Sequence, residues 1–413
     1  MAASDRTHRS QGGAVRLAVV VAALGYFVDI YDLLLFGIVR KASLEDIGVP
    51  ASQSLAAGTL LLNVQMGALL LGGILWGVLG DKRGRLSVLF GSIVLYSLAN
   101  VANGMIHTLP QYAAARFVAG IGLAGELGAG ITLVSESLDK RTRGYGTTLV
   151  ATVGILGAVA GALVAKLTFW RTSYFVGGGL GLALLLLRVG VLESGVYERL
   201  KKEKAHVSRG NFFRLFSSWP RARRYVAVIL VGVPIWYVVA VLITFAPEVG
   251  KAMGLEKAPD AAFAIMINYT GLAVGDFSSG ALSQIVKSRK RALFVFIALT
   301  AASVAIYFAV GGRSLFAFYA ACALLGVATG YWAVFVTVAS EQFGTNLRAT
   351  ATTTAPNFVR GAVVPITIAF NALKGSLGVR GSALLVGAVT LALAMIALTR
   401  LEETYGKDLD FID

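Results

Sequence analysis

The chain is a succession of long apolar runs broken by short polar segments, and the breaks carry most of its charge. The runs are unbroken rather than alternating, which excludes a transmembrane β-barrel, whose strands alternate apolar and polar positions. A helix that crosses a bilayer needs about 20 apolar residues. Runs of that length predict transmembrane helices near 15–39, 55–80, 86–107, 111–134, 144–167, 171–192, 223–248, 260–286, 291–311, 314–339, 347–373 and 380–400. One long break, Glu193 to Ala222, is polar and basic and separates six runs from six. The predicted organisation is an all-α membrane protein of twelve transmembrane helices: a tail over 1–14, a six-helix bundle over 15–192, a linker over 193–222, a second six-helix bundle over 223–400 and a tail over 401–413.

Composition agrees. Of 413 residues, 56% are hydrophobic and 14% charged, against about 25% charged in a soluble domain, so lipid must solvate most of the surface. A net charge of +15 would suit nucleic acid if the basic residues formed one patch, but they lie between the apolar runs. With the N-terminus inside, 25 of the 37 Lys and Arg fall on the cytoplasmic side, 9 outside and 3 within helices. Nine of them lie between Arg199 and Arg224, and four more in Lys287–Arg291. That bias puts both termini in the cytoplasm, and the basic runs read as solvated topology signals without a nucleic-acid partner. No small-residue cleavage site follows the first apolar run, so it is expected to be a retained helix and not a signal peptide. The single cysteine, Cys322, lies in an apolar run and provides neither a disulfide nor a thiolate metal cluster. The expected location is a plasma membrane, the bacterial inner membrane.

The two halves repeat. Glu136 is followed seven residues later by Arg143, and Glu341 seven residues later by Arg348, an offset of 205. Gly77 and Gly280 sit in matching places at an offset of 203. Between the second and third runs stand Gly77, Asp81, Arg83, Gly84 and Arg85, which resemble the signature loop of the major facilitator superfamily, G-x-x-x-D-[RK]-x-G-R. Physically, Asp81 suits a helix start, Gly84 a tight turn and the arginines the cytoplasmic face. The second copy is degenerate, with Gln284 where an acid would stand. Arg116, Gly120 and Gly122 resemble a further motif of that superfamily, R-x-x-x-G-x-G, and the Glu136/Arg143 pair resembles the cytoplasmic motif of its sugar porters and organic-acid symporters. Asp29, Tyr31 and Asp32 resemble the acid-x-Tyr-Asp segment of its metabolite:proton symporters. Drug antiporters of the superfamily carry Gly-Pro in the fifth helix; here that helix has Gly154, Gly157 and Gly161 without proline, which reads as close helix packing. The resemblance implies two pseudo-symmetric six-helix bundles rocking about a central site, with Gly77, Asp81, Arg83, Gly84, Arg85, Glu136, Arg143, Glu341 and Arg348 governing the conformational cycle.

Ionisable residues inside the runs point to that site. A charge at mid-bilayer costs at least about 2.5–3.5 kcal/mol and needs a partner or water. With a rise of about 1.5 Å per residue, Asp29, Asp32, Glu126, Asp276 and Arg360 come to similar depth, which favours one shared cavity. Asp29, Asp32 and Glu126 are the candidate proton carriers; the alternatives are a structural pairing of either aspartate with Arg116 and a permanently protonated Glu126. The candidate substrate contacts are Arg360, whose fork suits a carboxylate, with Tyr31, Asn63, Gln65, Arg116, Trp236, Tyr237, Asp276, Tyr331 and Trp332. A fixed salt bridge from Arg360 to a buried acid is the alternative. Arg188 lies near a helix end and is expected to snorkel.

The expected function is secondary active transport by alternating access, proton-coupled symport of a small carboxylate or zwitterionic metabolite. An exporter or uniporter of a cation or metal is the nearer alternative, a membrane sensor or intramembrane enzyme the more distant one. Neither HExxH, GxSxG nor a Cys/His cluster occurs, which argues against an enzyme. The expected partners are a small-molecule substrate, a proton and the bilayer, with no cofactor or metal and a monomeric chain.

Overall fold

The computed structural model describes residues 2–83, 85–126, 143–193 and 212–407. Its α-helices of ten residues or more are α1 Ala2–Asp46, α2 Ser54–Arg83, α3 Arg85–Gly104, α4 Leu109–Leu123, α5 Arg143–Leu167, α6 Trp170–Glu193, α7 Trp219–Tyr237, α8 Ala261–Ile285, α9 Arg289–Val310, α10 Leu315–Thr329, α11 Trp332–Glu341, α12 Thr345–Gly361 and α13 Val363–Arg400, with a short helix Ala246–Ala252 after α7. No strand occurs among the described residues, and eight helical stretches there are long and apolar enough to cross a membrane. Every predicted run has a helix in its place. The tenth is shared by α10 and α11, and the eleventh by α12 and the start of α13, where Gly378 (φ 66°, ψ 178°) turns the chain into the twelfth. α1 runs back to Ala2 through the predicted tail, because the end of apolarity marks the membrane boundary and not the end of a hydrogen-bond ladder.

Within the first half α1 packs on α5, α2 on α4, and α3 on α4 and α6; within the second, α8 packs on α10 and α7 on α13. The halves meet where α5 lies on α8 and α12 on α2. The fifth-helix glycines do serve packing. Gly157 lets α5 approach the backbone of α1 so closely that a Cβ would strike the Phe27 carbonyl oxygen, and Gly154 seats the ring of Tyr26.

Three irregularities mark the second half. Pro234 lies inside α7, which continues as a π-helix over Val238–Ile243; such bulges are frequent at functional sites. The tenth run breaks at Gly330 and Tyr331, and the eleventh at Ala362.

The tail from Leu401 to Lys407 is clasped to the start of α9. Glu403 accepts hydrogen bonds from the amides of Arg289 (2.9 Å) and Lys290 (3.2 Å) and from the Ser288 hydroxyl, so a carboxylate caps the positive end of that helix. Burial pushes the Glu403 carboxyl up, but the bonds from Ser288 and from the amides of Tyr405, Arg289 and Lys290 together hold it below the usual glutamate range. A depressed value means the clasp is at full strength above the ordinary glutamate pKa of about 4.3 and fades as pH falls through the lowered value. Protection against amide exchange at 401–407, taken relative to the intrinsic rate at each pH, should therefore be high at neutral pH and lost only in acid, whereas Glu403→Gln should lose it at pH 7 already. Equally slow exchange in the variant would remove the clasp.

Candidate functional site

Between the halves lies a narrow cavity lined by Tyr26 and Ile30 of α1, Ile155 of α5, Ile235 and Trp236 of α7, Tyr269 and Leu272 of α8, Trp332 of α11 and Arg360 of α12. Arg360 and Asp29 are both fully buried and joined by one hydrogen bond, Nη2 to Oδ2 at 3.1 Å. The guanidinium carbon lies 5.9 Å from the ring centres of both Trp236 and Trp332, within cation–π range. Four buried donors here lack a hydrogen-bond partner: Arg360 Nε and Nη1 and the indole N–H groups of Trp236 and Trp332. Asp29 Oδ1 lacks one as well. A wall of aromatic and aliphatic faces with unpaired donors on one side is suited to a flat ligand carrying an anionic acceptor.

The other mid-depth acids are not in this cavity. Asp32 is fully buried inside the first bundle with neither oxygen hydrogen-bonded, and the missing Cβ of Gly177 makes room for it. Its electrostatic neighbour is Arg116. Arg116 itself makes hydrogen bonds to neutral amides, Nε to Asn103 Oδ1 at 3.0 Å, Nη2 to Asn100 Oδ1 at 3.1 Å and Nη1 to Gln65 Oε1 at 3.5 Å, and lies over the Tyr174 ring. Glu126 is bound by both terminal nitrogens of Arg188, the Nη1 bond being 3.0 Å. Arg188 does not snorkel: it turns inward from α6 through the space left by Gly25 of α1. Asp276 accepts from the Ala333 amide at 3.0 Å, satisfying an orphan donor where α11 restarts after the break.

Of the remaining candidates, Trp236 and Trp332 line the cavity, and the three tyrosines are held by helix carbonyls: Tyr31 donates to Ser173, Tyr237 to Ala383 and Tyr331 to Val231. Asn63 accepts from Thr367 at 2.5 Å, a contact between halves, and Gln65 donates to the Leu33 carbonyl. At the cytoplasmic loops Gly77 faces Thr354, and the backbone of Asp81 and Arg83 belongs to the last turn of α2 rather than to the start of α3. Gly84 and Glu136 lie outside the described residues, as do the side chains of Asp81, Arg83, Arg85 and Arg143. Glu341 accepts from Arg289 (3.4 Å) and Thr404 (2.7 Å), and Arg348 stands in the first turn of α12.

Sequence reasoning missed Tyr26 and Tyr269, which resemble any packed tyrosine, and it missed Arg40. Counted among the loop basic residues, Arg40 is fully buried at the end of the molecule opposite the linker. Its Nη2 reaches Glu248 Oε1 and Oε2 at 2.9 and 2.8 Å and the Thr244 carbonyl at 3.4 Å, with Phe245 below the guanidinium. The partners are 208 residues apart in different halves, which no local pattern reports.

Among known families, the one described as the Major Facilitator Superfamily matches residues 22–367. The chain is 26% identical over 349 residues to a "Putative niacin/nicotinamide transporter" of Bacillus subtilis, covering 82% of this chain and 84% of the relative. It is 27% identical to the "3-(3-hydroxy-phenyl)propionate transporter" of Escherichia coli, covering 85% of each. Its structure resembles that of a proton:xylose symporter with a TM-score of 0.71 at 16% identity, covering 97% of this chain and 98% of the other, which shows a shared fold.

Proposed function

The chain belongs to the major facilitator superfamily, and from that premise we propose that this multi-pass membrane transporter is a proton-coupled symporter for a small carboxylate with a flat ring. The observation that carries the proposal is the Arg360 fork, set between two tryptophans in the cavity between the halves with Nε and Nη1 unpaired. The names of two relatives include niacin and 3-(3-hydroxy-phenyl)propionate, carboxylates of this shape, which supports the reading; the first name also includes nicotinamide, which the test below sets against niacin.

Coupling follows from the pairing. A substrate carboxylate that takes the Arg360 fork displaces Asp29, and an uncompensated carboxylate left buried there is costly. A proton on Asp29 removes that cost, so substrate and proton load together and leave together. Asp32, whose oxygens have no hydrogen-bond partner, is the second proton candidate. The loaded and empty site then differ little in charge, and the bundles rock around it. The basic bias of the loops supports a cytoplasmic location for both termini, and the chain works as a monomer without a cofactor.

The test is uptake into proteoliposomes with the outside made acid. Niacin is expected to accumulate and nicotinamide, its uncharged amide, is not. Asp29→Asn should abolish accumulation while exchange of substrate across the membrane persists; if it leaves accumulation intact and Asp32→Asn abolishes it, the proton moves to Asp32. Accumulation that ignores the pH gradient, or that treats acid and amide alike, would end the proposal.

A further inference from the structure

The stretch that joins the linker to α7 has an arrangement that transport does not explain. Phe212–Phe216 forms one turn of 3₁₀-helix. Phe212 and Leu215 point inward, whereas Phe213 and Phe216 point outward, 67% and 46% exposed, beside Trp219 at 77%. Arg214 and Arg223 are exposed around the same rings, and Arg221 is half-buried, donating to the Arg214 carbonyl at 3.2 Å and the Ser217 hydroxyl at 2.9 Å. No ion pair among the described residues takes Arg214, Arg221 or Arg223, and 212–224 contains no Asp or Glu. Trp219 opens the apolar stretch Trp219–Ile243, so the segment lies at a membrane boundary, on the side with the basic loops.

We propose that 212–224 is a docking surface for the anionic phospholipids of the cytoplasmic leaflet. Phe213, Phe216 and Trp219 enter the boundary between headgroups and acyl chains, where amphipathic rings are favoured. The guanidinium groups of Arg214, Arg221 and Arg223 meet phosphate oxygens, for which their fork is suited. Charge selects the partner: three arginines with no acid among them attract a headgroup of net negative charge and repel the ammonium of a zwitterionic one. The surface is fastened to the helix that carries Arg360. Phe212 stacks on Phe358 of α12 with centroids 5.7 Å apart and planes at 27°, and Tyr225 donates to Thr354 of α12 at 2.7 Å. Lipid bound at 212–224 thus acts on a helix of the transport cavity.

The experiment uses the full chain in nanodiscs containing phospholipid brominated near the headgroup. The difference in quenching between the chain and its Trp219→Phe variant isolates Trp219. Brominated phosphatidylglycerol should quench Trp219 severalfold more than the same fraction of brominated phosphatidylcholine. The triple variant Arg214→Gln, Arg221→Gln, Arg223→Gln should lose that preference while Trp219 remains quenched by either lipid. Equal quenching of the unmodified chain by both lipids would overturn the proposal, as would a preference that survives the triple variant. The readout requires no transport, so it stands or falls apart from the symport assignment.

Discussion

Arg360→Ala should weaken binding of a ring carboxylate by about 2–5 kcal/mol, a loss of roughly 30-fold to several thousand-fold in Kd. Arg360→Lys keeps the charge and loses the fork, so it should fall between the two. The pairing with Asp29 gives this experiment a second axis. Removing Arg360 alone leaves a buried, unpaired carboxylate, a destabilisation of roughly 3–5 kcal/mol. The double variant Arg360→Ala, Asp29→Asn removes both charges and should recover most of the thermal stability but none of the affinity. Calorimetric titration and thermal melting on the same samples separate the two roles. If affinity returns together with stability, Arg360 is a structural partner of Asp29 and the carboxylate assignment loses its support.

Glu248→Gln should shift the protein toward the conformation open at the end opposite the linker by about two to nearly four orders of magnitude. In the closed form this variant leaves the fully buried Arg40 guanidinium without a countercharge, with the remaining amide oxygen at 248, the Thr244 carbonyl and the Phe245 ring as its only partners among the described residues. A stranded buried charge costs roughly 3–5 kcal/mol, and a cost borne by one conformation only moves the equilibrium by that amount. Opening wets Arg40 and removes the cost. A cysteine at Ile235, which lines the cavity, should react faster with a membrane-impermeant maleimide from outside in the Glu248→Gln background; the native Cys322 is buried. Arg40→Met together with Glu248→Gln leaves no charge to strand and should bring the rate back toward that of the unmodified gate. An unchanged labelling rate in Glu248→Gln would show that this pair does not hold the outer mouth shut.

The spans were legible because lipid imposes a length on every helix that crosses it, and the apolar runs reported that length directly. An expected depth was legible for the same reason: a fixed rise per residue ranks Asp29, Asp32, Glu126, Asp276 and Arg360 along the membrane normal. Direction around each helix axis was not. It depends on how neighbouring helices cross and where small residues admit close approach, as Gly25 admits the Glu126–Arg188 pair and Gly177 admits Asp32. Five residues expected at one depth therefore divide into a cavity pair, a carboxylate beside Arg116, a second ion pair and a helix cap. The decisive partnerships, Arg360 with Asp29 and Arg40 with Glu248, span 331 and 208 residues, beyond the reach of any local spacing rule. Pro356 and Pro365 bracket Arg360, and the helix breaks between them, at Ala362.

The one-to-one pairing of Arg360 with Asp29 has an electrical consequence. On the symport reading, a monovalent carboxylate replaces Asp29 at the guanidinium while a proton neutralises the displaced acid, so one negative and one positive charge cross together. The transmembrane voltage does work of about 2.3 kcal/mol per 100 mV on each net charge moved, and here the net is zero. On that reading the cycle is electroneutral: it passes no current, and a cell that loses its membrane potential but keeps an acid exterior still drives it.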